Sequence, residues 1–315
     1  MKLIPSIFLY LLLPLAVAAQ SVQIQDGAIR AEFSVSDSTK VYFSQGNLRY
    51  QASTNTWRFA ERQWYYGGMQ LPADDPDALN DSYSIAGTVN DSDNAYTSEN
   101  YAGWIDLFGW GTSGYNGKHP YMTSTHYSDY GDGTNDIAGT NYDWGVYDKI
   151  SNGGNKAGMW RTLTRNEWDY ILHGRPHCNN LYSKGCVDDI NGLILLPDEW
   201  DYSIDFSPRS EEWETNYYSL DSWSIMESHG AVFLPAAGFR IGTEVFLDGF
   251  VCSYWSSSAG VDVNAYNMFC QVPFKNRVGA GYLYFGSEDD YVGTVGMTDG
   301  SREGGKSVRL VQDVK

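Results

Sequence analysis

Short apolar and aromatic runs, broken every few residues by Gly, Asn, Ser or Asp, set the pattern of this chain and predict many short strands joined by turns. The runs at 41–50 (VYFSQGNLRY) and 57–66 (WRFAERQWYY) flank a polar Ser-Thr-Asn-Thr turn and predict a β-hairpin. Helical spacing is clearest in the middle. There Thr164-Arg165-Asn166-Glu167 has the form of a capping box, and Trp168, Ile171 and Leu172 follow on one face. Gly174 is expected to supply a left-handed stop, and Pro176 bars continuation. A second short helix is expected from Asp221 to Ser228, burying Trp223 and Met226 and ending at Gly230. Two short helices among many strands make an α+β domain. Trp160, Trp168, Trp223 and Trp255 lie in these structural runs and are expected in the core.

The first residues read differently. Lys2 precedes an apolar stretch, Ile7 to Ala19, that ends in the small residues Ala16-Val17-Ala18. The stretch falls short of the roughly 20 residues that cross a bilayer as a helix. It has the form of a secretory signal, residues 1–18, leaving one domain over 19–315 with an N-terminal strand extension. Export is therefore expected, to the periplasm, the cell surface or the medium, with no transmembrane segment.

An oxidising compartment changes how the four cysteines are read. Disulfides are favoured, and proximity favours Cys178–Cys186 and Cys252–Cys270. The alternative is a zinc site drawn from His173, His177, Cys178 and Cys186, although Gly174 and Pro176 separate the two histidines by a helix break. A bond between Cys252 and Cys270 would register a C-terminal hairpin. Tyr254 would then face Met268, Ser258 would face Asn264, and residues 259–263 would form the loop.

Charge narrows the partners. The chain carries 39 Asp+Glu against 21 Lys+Arg, a formal net charge of −18, and no basic run, which argues against nucleic acid. Its 24 Tyr, 11 Trp and 13 Phe are too many for a disordered acidic chain. The acidic, turn-rich stretches 72–100 and 123–143, the latter with Asp129, Asp132, Asp136 and Asp143, read as solvated loops. Calcium is the cofactor they would suit, although the regular helix–loop–helix pattern is absent. No Gly-x-Ser-x-Gly elbow and no His-Glu-x-x-His motif is present.

Several motifs together resemble a known family. The run 160–168 (WRTLTRNEW) is similar to the Arg-Leu-Pro-Thr-x-x-Glu-Trp segment of the sulfatase-modifying-factor family, whose domains have a C-type-lectin-like fold. The runs 231–240 (AVFLPAAGFR), 254–258 (YWSSS) and 307–311 (SVRLV) resemble the Fibrobacter succinogenes major paralogous domain and its secreted relatives. VYFSQGNLRY and the run 104–111 (WIDLFGWG) look typical of those relatives, so the resemblance spans about residues 33–313. It implies an α+β, C-type-lectin-like domain. It does not carry over the formylglycine-generating activity, because those enzymes hold copper between two nearby cysteines. Here only Cys252 and Cys270 lie late in the chain. Nor is there a Glu-Pro-Asn or Trp-Asn-Asp signature of calcium-dependent lectins.

The function expected from these readings is a secreted, non-enzymatic module that binds an extracellular glycan or protein. The alternative is a diverged oxidase of the formylglycine-generating type, or a hydrolase. By analogy with the fold, the ligand face is expected on the C-terminal strands, at Asn264, Tyr266, Asn276, Arg277, Tyr282 and Tyr284. Tyr282 and Tyr284 alternate with Leu283 and Phe285 in GYLYFG, which would turn the tyrosines outward.

Overall fold

A computed structural model describes residues 22, 24–67, 93–210, 212–260, 264–271 and 295–315. The fold is α+β, rich in strands, with three short α-helices among the described residues. The first strands are β1 (Ile24–Gln25), β2 (Ala28–Ile29), β3 (Phe33–Ser34), β4 (Lys40–Phe43), β5 (Leu48–Gln51) and β6 (Thr56–Phe59). Helix α1 (Trp144–Tyr147) and strand β7 (Arg161–Thr162) lead to α2 (Arg165–Asp169). Then come β8 (Tyr182–Val187), β9 (Ile190–Leu195), β10 (Tyr217–Tyr218), α3 (Leu220–Ser228) and β11 (Val232–Pro235). The chain closes with β12 (Phe239–Ile241), β13 (Glu244–Phe246), β14 (Val251–Ala259), β15 (Asn264–Gln271), β16 (Val295–Ser301) and β17 (Leu310–Asp313).

Three sheets organise the core. In the first, order β3-β4-β17-β7, the last strand of the chain lies between strands from its first third and its middle. Along β4, Val41 and Phe43 are buried while Lys40 and Tyr42 are half-buried, as expected of a strand with one face on the core. The second sheet, order β10-β8-β9-β11, is covered by α3, whose Trp223 packs on Phe233 at 5.6 Å between ring centroids. The third is the antiparallel β14-β15-β16. Strand β16 pairs along β15, and the sequence reading did not anticipate it.

Helix α2 begins as expected. The Thr164 hydroxyl accepts from the Glu167 N–H, and the Glu167 carboxylate accepts from the Thr164 N–H at 2.8 Å. Trp168, Ile171 and Leu172 are fully buried, and so in effect are Trp160, Trp223 and Trp255. The ending differs from expectation. Gly174 is not left-handed; a π-helical turn over Tyr170–Gly174 carries the helix on, and it stops where Arg175 turns extended before Pro176. The glycine is needed for space instead, because a Cβ there would lie 2.5 Å from the Tyr170 ring. Helix α3 starts at Leu220, with the Ser219 hydroxyl accepting from the Ser222 N–H, and Gly230 (φ 88°) follows it.

The expected hairpin is shorter and split. Only β5 and β6 pair, and Val41–Phe43 belong to the first sheet. The break falls at Gly46, where the backbone passes so close to Ala60 that a Cβ would sit 2.4 Å from its carbonyl. Trp64, Tyr65 and Tyr66 lie outside any strand yet are buried, so their apolar character reports the core rather than a strand.

The C-terminal register holds at first and then shifts. Cys252 faces Cys270 and Tyr254 faces Met268, but after Trp255 the pairing slips so that Ala259 faces Ala265. Ser258 therefore does not face Asn264, and Ala259 belongs to the strand rather than the loop. The strand is drawn away from its partner by bonds to the α2 side. The Ser257 N–H donates to Leu163 O at 2.8 Å, and Ser257 O accepts from the Ile137 N–H at 2.9 Å.

All four cysteines are free thiols. Cys252 and Cys270 are opposed and fully buried without being bonded. Among the described residues, no strand pairing sets Cys178 opposite Cys186: Cys178 lies in a half-buried turn, whereas Cys186 is paired with Asn191 and Tyr217.

Between the sheets runs a buried polar network. Arg309, fully buried, donates to Gln63 Oε1 at 2.8 Å, and the same oxygen accepts from the Phe233 N–H at 2.8 Å. Gln63 in turn donates to Ala231 O and Glu227 Oε1, each at 3.0 Å. Burial lowers the Arg309 guanidinium to about 10.

Candidate functional site

The β5–β6 hairpin sets Tyr50 directly across from Trp57, with ring centroids 4.6 Å apart. A 3-10 turn over Ala52–Thr54 and a left-handed Asn55 (φ 48°) close the hairpin, and the Tyr50 hydroxyl donates to Asn55 Oδ1 at 3.0 Å. Reciprocal N–H···O bonds between Tyr50 and Ile105, at 2.8 and 3.0 Å, anchor its edge to the core. This hairpin forms one side of a cleft.

The segment 113–121 forms another side. Gly114, at φ 96°, lets the chain fold back so that its N–H donates to Lys118 O at 2.8 Å. Lys118 Nζ donates to Asp129 O at 2.6 Å, which directs that cation at a backbone carbonyl of the next loop. His119 and Tyr121 stack with rings 4° from parallel and centroids 5.0 Å apart.

Helix α1 completes the cleft. Asp143, fully buried, caps its start through the Gly145 N–H and also accepts from the Thr162 N–H and hydroxyl. It is a structural carboxylate rather than a solvated loop residue, and burial raises it to about 6 against those hydrogen bonds. Tyr147, exposed, meets Tyr115 edge-on at 5.4 Å. Asp148 ends the helix, its N–H donating to Trp144 O at 2.9 Å.

The cleft these pieces enclose holds about 410 Å³, with Glu99 and Asn100 at its edge. Among the described residues, no Lys or Arg lines it. Burial pushes the Asp148 carboxyl up to about 8, opposed by a hydrogen bond from the Trp57 indole and reinforced by the charge of Asp143. Its Oδ2 is buried with no hydrogen-bond partner. Burial likewise raises the Tyr50 phenol to about 12, with smaller contributions from Tyr121 and Asp148. Burial therefore favours the neutral forms of Asp148 and Tyr50. The cleft offers ring faces and neutral hydrogen-bonding groups, with Glu99 as an exposed carboxylate.

The residues expected on the C-terminal strands are placed differently. Asn264 is half-buried and donates to Asp299 at 2.8 Å, while its carbonyl accepts from Arg302 at 3.1 Å. Tyr266 is half-buried under the Arg165 guanidinium, 4.3 Å from its ring centroid. Both are engaged within the fold. Asn276, Arg277, Tyr282 and Tyr284 lie outside the described residues.

Among the described residues, no group of three or more His, Cys, Asp and Glu side chains could hold a metal ion. The zinc set of the sequence reading does not gather; His173 pairs with Asp169 at 3.1 Å instead. The copper site of the formylglycine-generating enzymes is not matched by Cys252 and Cys270. Both thiols are fully buried, and burial holds Cys252 well above the ordinary thiol range while its Sγ donates to Leu234 O at 3.4 Å. A copper(I) ion needs accessible thiolates.

Sequence reasoning missed Tyr50, Trp57, Tyr121, Tyr147 and Asp148 as a group, although it recognised the strands that carry the first two. Comparison of the chain with family models, curated proteins and solved structures returns no match. Among the described residues, no helix is long and apolar enough to cross a membrane.

Proposed function

We propose that this protein is a secreted, non-enzymatic glycan-binding module on a C-type-lectin-like scaffold, with the Tyr50–Trp57–Tyr121–Tyr147 cleft as its binding site. The observation that carries the reading is a concave, tyrosine-rich site that combines ring faces with hydrogen-bonding groups. Sugars present flat C–H faces to aromatic rings and hydroxyls to Asn, Tyr and carboxyl groups. Asn55, Asn100 and Tyr50 supply such partners here. Aromatic side chains also give contact area at low entropic cost.

The scaffold reading rests on the motifs that suggested it. WRTLTRNEW runs into the capped helix α2, AVFLPAAGFR spans β11 and the start of β12, YWSSS lies within β14, and SVRLV leads into β17. Export rests on the signal-like residues 1–18. The oxidase alternative calls for reachable thiolates late in the chain, and Cys252 and Cys270 are interior instead.

A glycan array probed with the mature chain and a Tyr121→Ala/Tyr147→Ala variant tests the reading. Tyr147 is exposed and Tyr121 half-buried at the margin of the core, so the variant is expected to stay folded while losing array signal. Undiminished signal in a folded variant would place the site elsewhere.

A further inference from the structure

We propose that the cleft selects uncharged sugars and rejects uronic, sialic and sulfated ones. This selectivity rests on the glycan reading above and follows from what lines the cleft.

Proteins that hold anionic sugars place Lys or Arg against the carboxylate or sulfate, because those groups are strongly hydrated and need a charged partner when drawn from water. Among the described residues, this cleft has no such partner. Its titratable lining consists of Glu99, Asp148, His119 and the phenols of Tyr50, Tyr121 and Tyr147. Lys118, beside His119 on the 113–121 wall, does not line the cleft, and its Nζ donates to Asp129 O. Glu99, exposed at the edge, would face any incoming anion. Like charges about 4 Å apart in water repel enough to weaken binding about fivefold, and more where the dielectric falls. The net charge of −18 adds a field of the same sign around the whole molecule.

The interior of the cleft favours neutral hydroxyls in a positive sense. Asn55 and Asn100 line the cleft and give sugar hydroxyls neutral partners. The neighbouring Tyr50 hydroxyl and the Trp57 indole N–H already have acceptors, in Asn55 and Asp148. The volume, about 410 Å³, lies near the lower end of small-ligand sites and suits on the order of one or two sugar rings.

Titration calorimetry of the mature chain with matched sugars tests the inference: lactose against sialyllactose, and N-acetyllactosamine against its sulfate ester. The neutral member of a pair is expected to bind at least about fivefold more tightly. Glu99→Gln is expected to narrow that ratio by improving the charged member, and raising the salt concentration to narrow it further. Equal or tighter binding of the charged member, abolished by Tyr121→Ala/Tyr147→Ala, would overturn the selectivity and leave the glycan reading standing. If no member of either pair binds and the array shows no signal that depends on Tyr121 and Tyr147, both fall.

Discussion

The substitution Asp148→Asn should alter how stability depends on pH in a way that can be worked out beforehand. In the folded protein burial raises this carboxyl from 3.8 to about 8. Between those values the native state holds a proton that the unfolded chain has released. The associated stability is therefore complete below about pH 4, falls as pH rises, and is exhausted above about pH 8. The slope is at most about 1.4 kcal/mol per pH unit. Asp143, raised to about 6, contributes with the same sign but lower on the scale. The window from about pH 6.5 to 7.5 therefore isolates Asp148, with an expected loss of about 1 kcal/mol across it. The amide introduced at this position does not titrate, and its oxygen can still accept from the Trp57 indole. Every other titrating group is common to both proteins, so the difference in slope belongs to residue 148. Urea denaturation followed by tryptophan fluorescence at several pH values measures it. The variant should gain on the wild type as pH rises through neutrality. Parallel pH profiles would show that Asp148 ionises normally and that the cleft is not desolvated.

The remaining predictions concern the framework. Thr164→Ala should cost about 1 kcal/mol by removing the α2 cap, and Trp168→Ala about 3–5 kcal/mol; equal, negligible effects on the denaturation midpoint would contradict the capped, buried helix. Gln63→Leu strips Arg309 and the Phe233 N–H of an acceptor and should cost at least about 2 kcal/mol by the same assay. A smaller loss would mean that water replaces the amide. The opposed thiols of Cys252 and Cys270 should be oxidised to each other in protein recovered from an exported compartment, giving a 252–270 linked peptide by mass mapping. Four maleimide-reactive thiols in denaturant would refute that pairing. If the bond forms without strain, serine at both positions should cost about 2–4 kcal/mol.

What the sequence made legible was local. The α2 capping box needs only Thr164 and Glu167 three residues apart, and the opposition of Cys252 and Cys270 needs only two strands and a turn. What escaped was decided at long range. The slip after Trp255 depends on Leu163 and Ile137 competing for the backbone of Ser257, and neither is near it in the chain. The insertion of β17 beside β4 joins residues more than two hundred and fifty positions apart, with no signal in either strand. The cleft is the clearest case. Tyr50 and Trp57 are cross-strand partners and could be paired from the hairpin alone. Tyr121, Tyr147 and Asp148 reach them only through packing around α1, so no spacing rule links the set. The burial that shifts Asp148 cannot be read from a residue flanked by Tyr147 and Lys149.

The central claim is that ligand settles in this cleft. The most direct test is hydrogen–deuterium exchange of the mature chain with and without the neutral sugar that gives the strongest array signal. The account predicts slower exchange at residues 50–57, 98–100, 113–121 and 144–148, the segments that line the cleft, and little change along β14–β16. Protection confined to 264–301, or none in the cleft segments at saturating sugar, would contradict it.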